Sequence, residues 1–209
     1  MSEIKDKSIE VFLDELASRS ATPGGGSVAA LMGAQSAALT SMVCNLTIGK
    51  PKYSEVDADM QALLVKSEAL RVSLTKMIKA DVDVFDQLMM TYGLPKETDE
   101  EKTARSEQIQ SVLKEATLVP LACAKACAEA IALSQEAAEK GSVNVISDAG
   151  AGVMSAYAGL KSAALNVYIN TASLKDRAFA DTQLIELDGI LSGSELKVGD
   201  VYQAVKNKL

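Results

Sequence analysis

The chain has 209 residues, enough for one sizeable domain with a real core. It contains no histidine, which excludes a Ser-His-Asp triad and removes the usual general base and the commonest metal ligand. A net charge of −7, no Lys/Arg cluster and only 4% aromatics argue against nucleic acid as a partner.

The three cysteines, Cys44, Cys123 and Cys127, are too few for a zinc site without histidine, so no metal is expected. They read as small buried side chains. Their odd number and the lack of a signal peptide point to the reducing cytoplasm.

Almost every segment reads as helix, and none shows a period-2 strand pattern. Residues 8–18 form a short amphipathic helix with Ile9, Phe12, Leu13 and Leu16 on one face. The Thr22-Pro23-Gly24-Gly25-Gly26 loop breaks it. Residues 20–49 then carry no charge at all. Within them, residues 26–47 read as a helix of small residues (Gly26, Ala30; Ala29, Gly33, Ala37) that permits close backbone approach and belongs at the centre of a bundle. The run is long enough to span a bilayer. Gln35, Asn45, its hydroxyls and the absence of basic flanks favour a core helix, with no membrane as partner.

A long helix is expected over 55–92, stopped by Gly93-Leu94-Pro95. Thr98-Asp99-Glu100-Glu101 is a capping box that starts the next helix, which runs to about Lys140 with Pro120 kinking or dividing it. Ser147 or Asp148 caps a second small-residue helix reaching Thr171. Two short helices follow, over 181–191 and 198–206. The whole is predicted to be one all-α domain over 1–209, a bundle of long up-and-down helices. Exposed faces on helices this long predict a homodimer.

Three places carry chemistry. The glycines Gly24, Gly25 and Gly26, following Pro23, open a helix and leave free N–H groups. They suit either a flat or anionic ligand or a tight packing corner. Asp81 lies on the apolar seam Met60, Leu63, Ser67, Leu70, Leu74, Met77, Asp81, Val84, Leu88. A carboxylate there is a functional candidate, unless the seam opens to solvent or a Lys or Arg pairs with it. Asp148 sits in a first helical turn beside Gly150 and Gly152, where capping and function explain it equally. Lys50, with Lys52 and Tyr53 beside it, can reach an anionic tail or point to solvent. The amides of Asn45, Asn144, Asn166 and Asn170 can read a heterocycle edge or satisfy helix ends.

The segments SATPGGGSVAALMGAQSAALTSMVCNLTIGK, ADVDVFD, GSVNVISDAGAGV and SAALNVYIN resemble the cyclodeaminase/cyclohydrolase family, the C-terminal domain family of formiminotransferase-cyclodeaminase. The resemblance covers essentially the whole chain and is nearest to the stand-alone cyclohydrolases. It implies an all-α dimer and a tetrahydrofolate substrate, with no metal or redox cofactor. The implied reaction is hydrolysis of 5,10-methenyltetrahydrofolate to 10-formyltetrahydrofolate. Its alternatives are cyclodeamination of formimidoyltetrahydrofolate with ammonia release, or folate binding without turnover. By the same resemblance Asp81, Asp148 and Lys50 are catalytic candidates. Pro23, Gly24, Gly25, Gly26, Asn45, Asn144 and Ser147 are substrate-binding candidates.

Overall fold

A computed structural model describes residues 4–209. Six α-helices follow one another: α1 (Ile9–Leu16), α2 (Gly25–Asn45), α3 (Asp57–Tyr92), α4 (Asp99–Lys140), α5 (Ile146–Ser173) and α6 (Arg177–Lys206). Short 3-10 turns, Pro51–Val56 and Val143–Val145, precede α3 and α5. No strand occurs among the described residues.

The small-residue helices α2 and α5 form the centre, and they run antiparallel. Gly159 faces the Ala29 carbonyl, Gly152 faces the Ser36 carbonyl, and Gly25 faces Asn166. A Cβ at Gly159 would come within 2.8 Å of the Ala29 oxygen, so glycine is what lets the two backbones meet. Helix α3 covers the other side of α2, also antiparallel: Leu74 packs on Gly33, and the Ser41 and Ser67 hydroxyls bond at 2.8 Å. Helix α4 closes the core with Leu121, Ala124, Cys127, Ile131 and Ala137. The polar side chains buried there are paired, as burial requires. Ser134 of α4 bonds Ser36 at 3.2 Å and Thr40 at 3.0 Å, both on α2.

Helix α2 and helix α4 are long and apolar enough to cross a bilayer by length and composition alone. In each, 61% of the apolar window is buried inside the bundle, as expected of a core helix.

Four expectations change. First, α4 runs to Lys140 as expected, but Pro120 does not divide it: the helix passes through the buried proline as one element of 42 residues. Proline has no N–H for the Ala116 carbonyl, four residues back. The Asn170 amide of α5 donates to that carbonyl instead, at 2.6 Å. Second, the two short C-terminal helices are one. Ala180, Gln183 and Leu187 are buried before Gly193 and Ser194, Val198, Val201 and Val205 after it, with the partly buried Ile190 and Leu191 joining them into one stripe that carries the helix through. Packing overrides the local glycine penalty. Third, neither Ser147 nor Asp148 caps α5. Val145 holds the N-cap position without a side-chain bond, and both residues lie in the first turn. Fourth, α1 buries Phe12, whereas Ile9 and Leu13 are exposed. The capping box at Thr98 and Glu101 is present as read.

Candidate functional site

The candidate residues gather at the two ends of α2. The first group surrounds its N-terminus. The Thr22–Pro23 peptide is cis, Pro23 and Gly26 are buried, and Gly25 is exposed. The N-cap is Gly24, so α2 has no capping side chain of its own. Asp81 of α3 supplies one across the bundle. Its Oδ2 accepts from the Ser27 hydroxyl at 2.8 Å, and the Ser27 N–H also donates to the carboxylate. Gly26 makes this possible, because a Cβ there would overlap the carboxylate. Asn166 of α5 stands on the other side, against Gly25, and its amide donates to the Ser162 carbonyl at 3.0 Å.

No lysine or arginine pairs with Asp81 among the described residues, so that explanation of the seam position falls away. Burial raises its pKa above the usual carboxylate range, and the two bonds from Ser27 only partly offset this. A carboxyl raised in this way holds a proton more readily than an ordinary carboxylate, which suits a group that must both take and return one. Asp83, two residues on, pairs with Lys79 at the surface.

The second group surrounds the C-terminal end of α2. Gly49, at φ +76°, reverses the chain after α2, and its N–H is held by Asp57 at 2.7 Å. Lys50 then reaches back to the Ser142 hydroxyl at 3.4 Å. The Thr47 hydroxyl accepts from the Ser142 N–H at 2.9 Å, and the Tyr53 oxygen accepts from the Val143 N–H at 3.0 Å. These bonds join the α2–α3 connection to the α4–α5 connection. They also hold the Tyr53 phenol below its ordinary pKa: the Val143 N–H contributes most, then Ser142, and more weakly Lys52 and Lys50. Asn144 and Ser147 are exposed beside this turn, and Asp148 is half-buried in the first turn of α5. The N–H groups of that turn have no capping side chain and favour an anionic group.

Asn45 lies on the outer side of α2 in a shallow groove of about 620 Å³ with Ser41, Met42, Glu68 and Arg71. Arg71 bonds Glu68 at 2.7 Å and holds its carboxyl below the usual range, with the Ser41 hydroxyl adding to this.

Within one chain the two groups stay apart. Ser27 and the last residue of α2, Asn45, are eighteen positions apart, about 27 Å at 1.5 Å per residue, and Thr47 lies just beyond. Pro23 to Gly26 sit with Asp81; Lys50, Asn144, Ser147 and Asp148 sit together; Asn45 lies nearer the second group. The sequence reading missed Ser27 as the partner of Asp81, and Thr47 and Ser142 as the join between the connections. Only their position as hydroxyls next to singled-out glycines and Lys50 hinted at them. Among the described residues, no group of three or more acidic or cysteine side chains is placed to hold a metal.

The Formiminotransferase-cyclodeaminase family model matches residues 8–188. The chain is 58% identical to the methenyltetrahydrofolate cyclohydrolase of Methylorubrum extorquens, over 98% of both chains. It is 33% identical to the formimidoyltransferase-cyclodeaminase of Rattus norvegicus over 96% of this chain, which spans 37% of that larger protein. A crystal structure of formiminotetrahydrofolate cyclodeaminase from Thermotoga maritima superposes with a TM-score of 0.83 at 29% identity, over 99% of this chain and 98% of that one. On sequence and architecture alike, the chain belongs to the formiminotransferase-cyclodeaminase family.

Proposed function

We propose that this chain is a methenyltetrahydrofolate cyclohydrolase, converting 5,10-methenyltetrahydrofolate and water to 10-formyltetrahydrofolate in one-carbon metabolism. The observation that carries this is the 58% identity with a cyclohydrolase over 98% of both chains. The substrate carries a delocalised cation over N5, the bridge carbon and N10. A carboxylate beside it stabilises that cation and takes a proton from the attacking water. Collapse of the carbinolamine forms the formyl C=O as its hydroxyl proton is released to solvent, and breaks the bond to N5, which must receive a proton. Asp81, with its raised pKa, suits this return of the proton without any histidine. Asp148 adds negative charge toward the cation. Lys50, Lys52 and Arg71 offer positive charge to the glutamate tail, and Asn45, Asn144 and Ser147 offer amides and a hydroxyl to the pterin edge. The reaction as written needs no metal or redox cofactor.

Because these groups lie at opposite ends of α2, we infer that one site is built from two subunits. The support is the outward stripe of α2. Val28, Leu31, Gln35, Ala38, Met42 and Leu46 follow a 3-4 spacing, are partly or fully exposed, and carry no charge. Ala151, Ala158, Leu165 and Ile169 continue the exposed face on α5. A two-fold axis crossing the middle of α2 covers this face with its own copy. It also sets the Asp81 end of one subunit against the Lys50 and Asp148 end of the other.

The test of the activity is loss of the methenyltetrahydrofolate absorbance on adding the protein. Decay far above the buffer rate is expected. Decay at the buffer rate, with ammonia released from formimidoyltetrahydrofolate, would make the chain a cyclodeaminase.

A further inference from the structure

We propose that Tyr53 is a positioning residue for turnover: it locks the turn before α5 so that Asn144, Ser147 and Asp148 meet the substrate in one arrangement. Its role in turnover rests on the cyclohydrolase function proposed above, while the lock itself is a property of the fold.

Two N–H groups of the turn are held by side chains from the α2–α3 connection. The first, of Ser142, is buried and must be satisfied; Thr47 does this at 2.9 Å and itself donates to the Val43 carbonyl at 2.7 Å. That bond serves stability. The second, of Val143, lies at the exposed surface, where water would satisfy it as well. The Tyr53 bond at 3.0 Å therefore adds orientation, not the rescue of a buried donor. Tyr53 is itself fixed. It stands in the 3-10 turn Pro51–Val56 at φ −116° and ψ 17°, behind the Gly49 reversal that Asp57 clamps. Lys50 ends on the adjacent Ser142 hydroxyl. The same few atoms thus set the Lys50 ammonium and the start of α5 relative to each other. Misplacement by about 1 Å costs up to about 100-fold in rate.

The bond can be removed from either side. Tyr53→Phe deletes only the oxygen. Val143→Pro deletes the N–H at the first position of a 3-10 turn, where proline is tolerated, and Ser142 already has the extended backbone (ψ 127°) that a following proline requires. Each variant is expected to keep the wild-type circular dichroism and melting temperature. In Tyr53→Phe, amide exchange is expected to rise about tenfold in the peptide over 142–147 and nowhere else. In both, kcat for methenyltetrahydrofolate falls about 10- to 100-fold with KM within about threefold, and the double variant falls no further than either single one. Unchanged exchange in Tyr53→Phe would overturn the lock. Raised exchange with wild-type kcat, or additive losses in the double variant, would overturn the positioning role. A wild-type protein without turnover would sink the proposed function and the role of Tyr53 in it, while the exchange result still decides the lock.

Discussion

Asp81 shows how one residue serves two demands. As a cap it completes α2, whose own N-cap is glycine; as a half-buried carboxyl it is held partly toward its neutral form. The linkage has a definite sign. A carboxyl whose folded pKa is raised favours the fold most below its ordinary value near 3.8, and that contribution is lost as pH rises through the folded value. The ionised form at neutral pH is therefore a cost to the fold. Asp81→Asn keeps the shape and removes that cost. We expect its melting temperature at pH 7 to equal or exceed that of wild type, while kcat falls at least about 100-fold. A large loss of stability with little loss of rate would mean that Asp81 is only a cap. The oddity of Asp81 was legible in the sequence, because a carboxylate interrupted an apolar seam. Its partner was not, because Ser27 lies 54 residues away and only the antiparallel packing of α2 on α3 brings them together.

Whole elements were read well where periodicity is strong and badly where a local breaker is overruled from afar. Pro120 and Gly193 are both breakers by local rules, and both sit inside continuous helices. At Pro120 the compensation is specific: Asn170 bonds the Ala116 carbonyl that proline leaves without a donor. At Gly193 nothing lies within 4 Å of where a Cβ would be, so no close approach requires glycine there. The two positions should respond with opposite signs. Asn170→Ala should lower unfolding stability by about 1–3 kcal/mol, the cost of stranding a carbonyl. Gly193→Ala should raise it by up to about 1 kcal/mol through helix propensity. Urea titrations at constant m-value measure both. Stabilisation by Asn170→Ala would show that the carbonyl finds water instead.

At the scale of the whole molecule, the sequence made the bundle and its central uncharged helices legible, because small residues and missing charge are composition signals. It could not reveal that the candidate residues fall into two groups about 30 Å apart, since that follows from α2 running straight between them. On the function proposed above, a single chain so arranged would hold two half-sites with an uncharged face between them. On the same proposal, a second copy related by a two-fold axis would complete both sites at once.

The most direct test is complementation between inactive subunits. Asp81→Asn and Asp148→Asn are each expected to be inactive alone. Mixed after reversible dissociation, half of the dimers would be hybrids, each with one intact site and one doubly altered site. About a quarter of the wild-type rate should return. No recovery, with hybrid dimers verified by native mass spectrometry after 15N-labelling of one variant, would contradict a site shared between subunits.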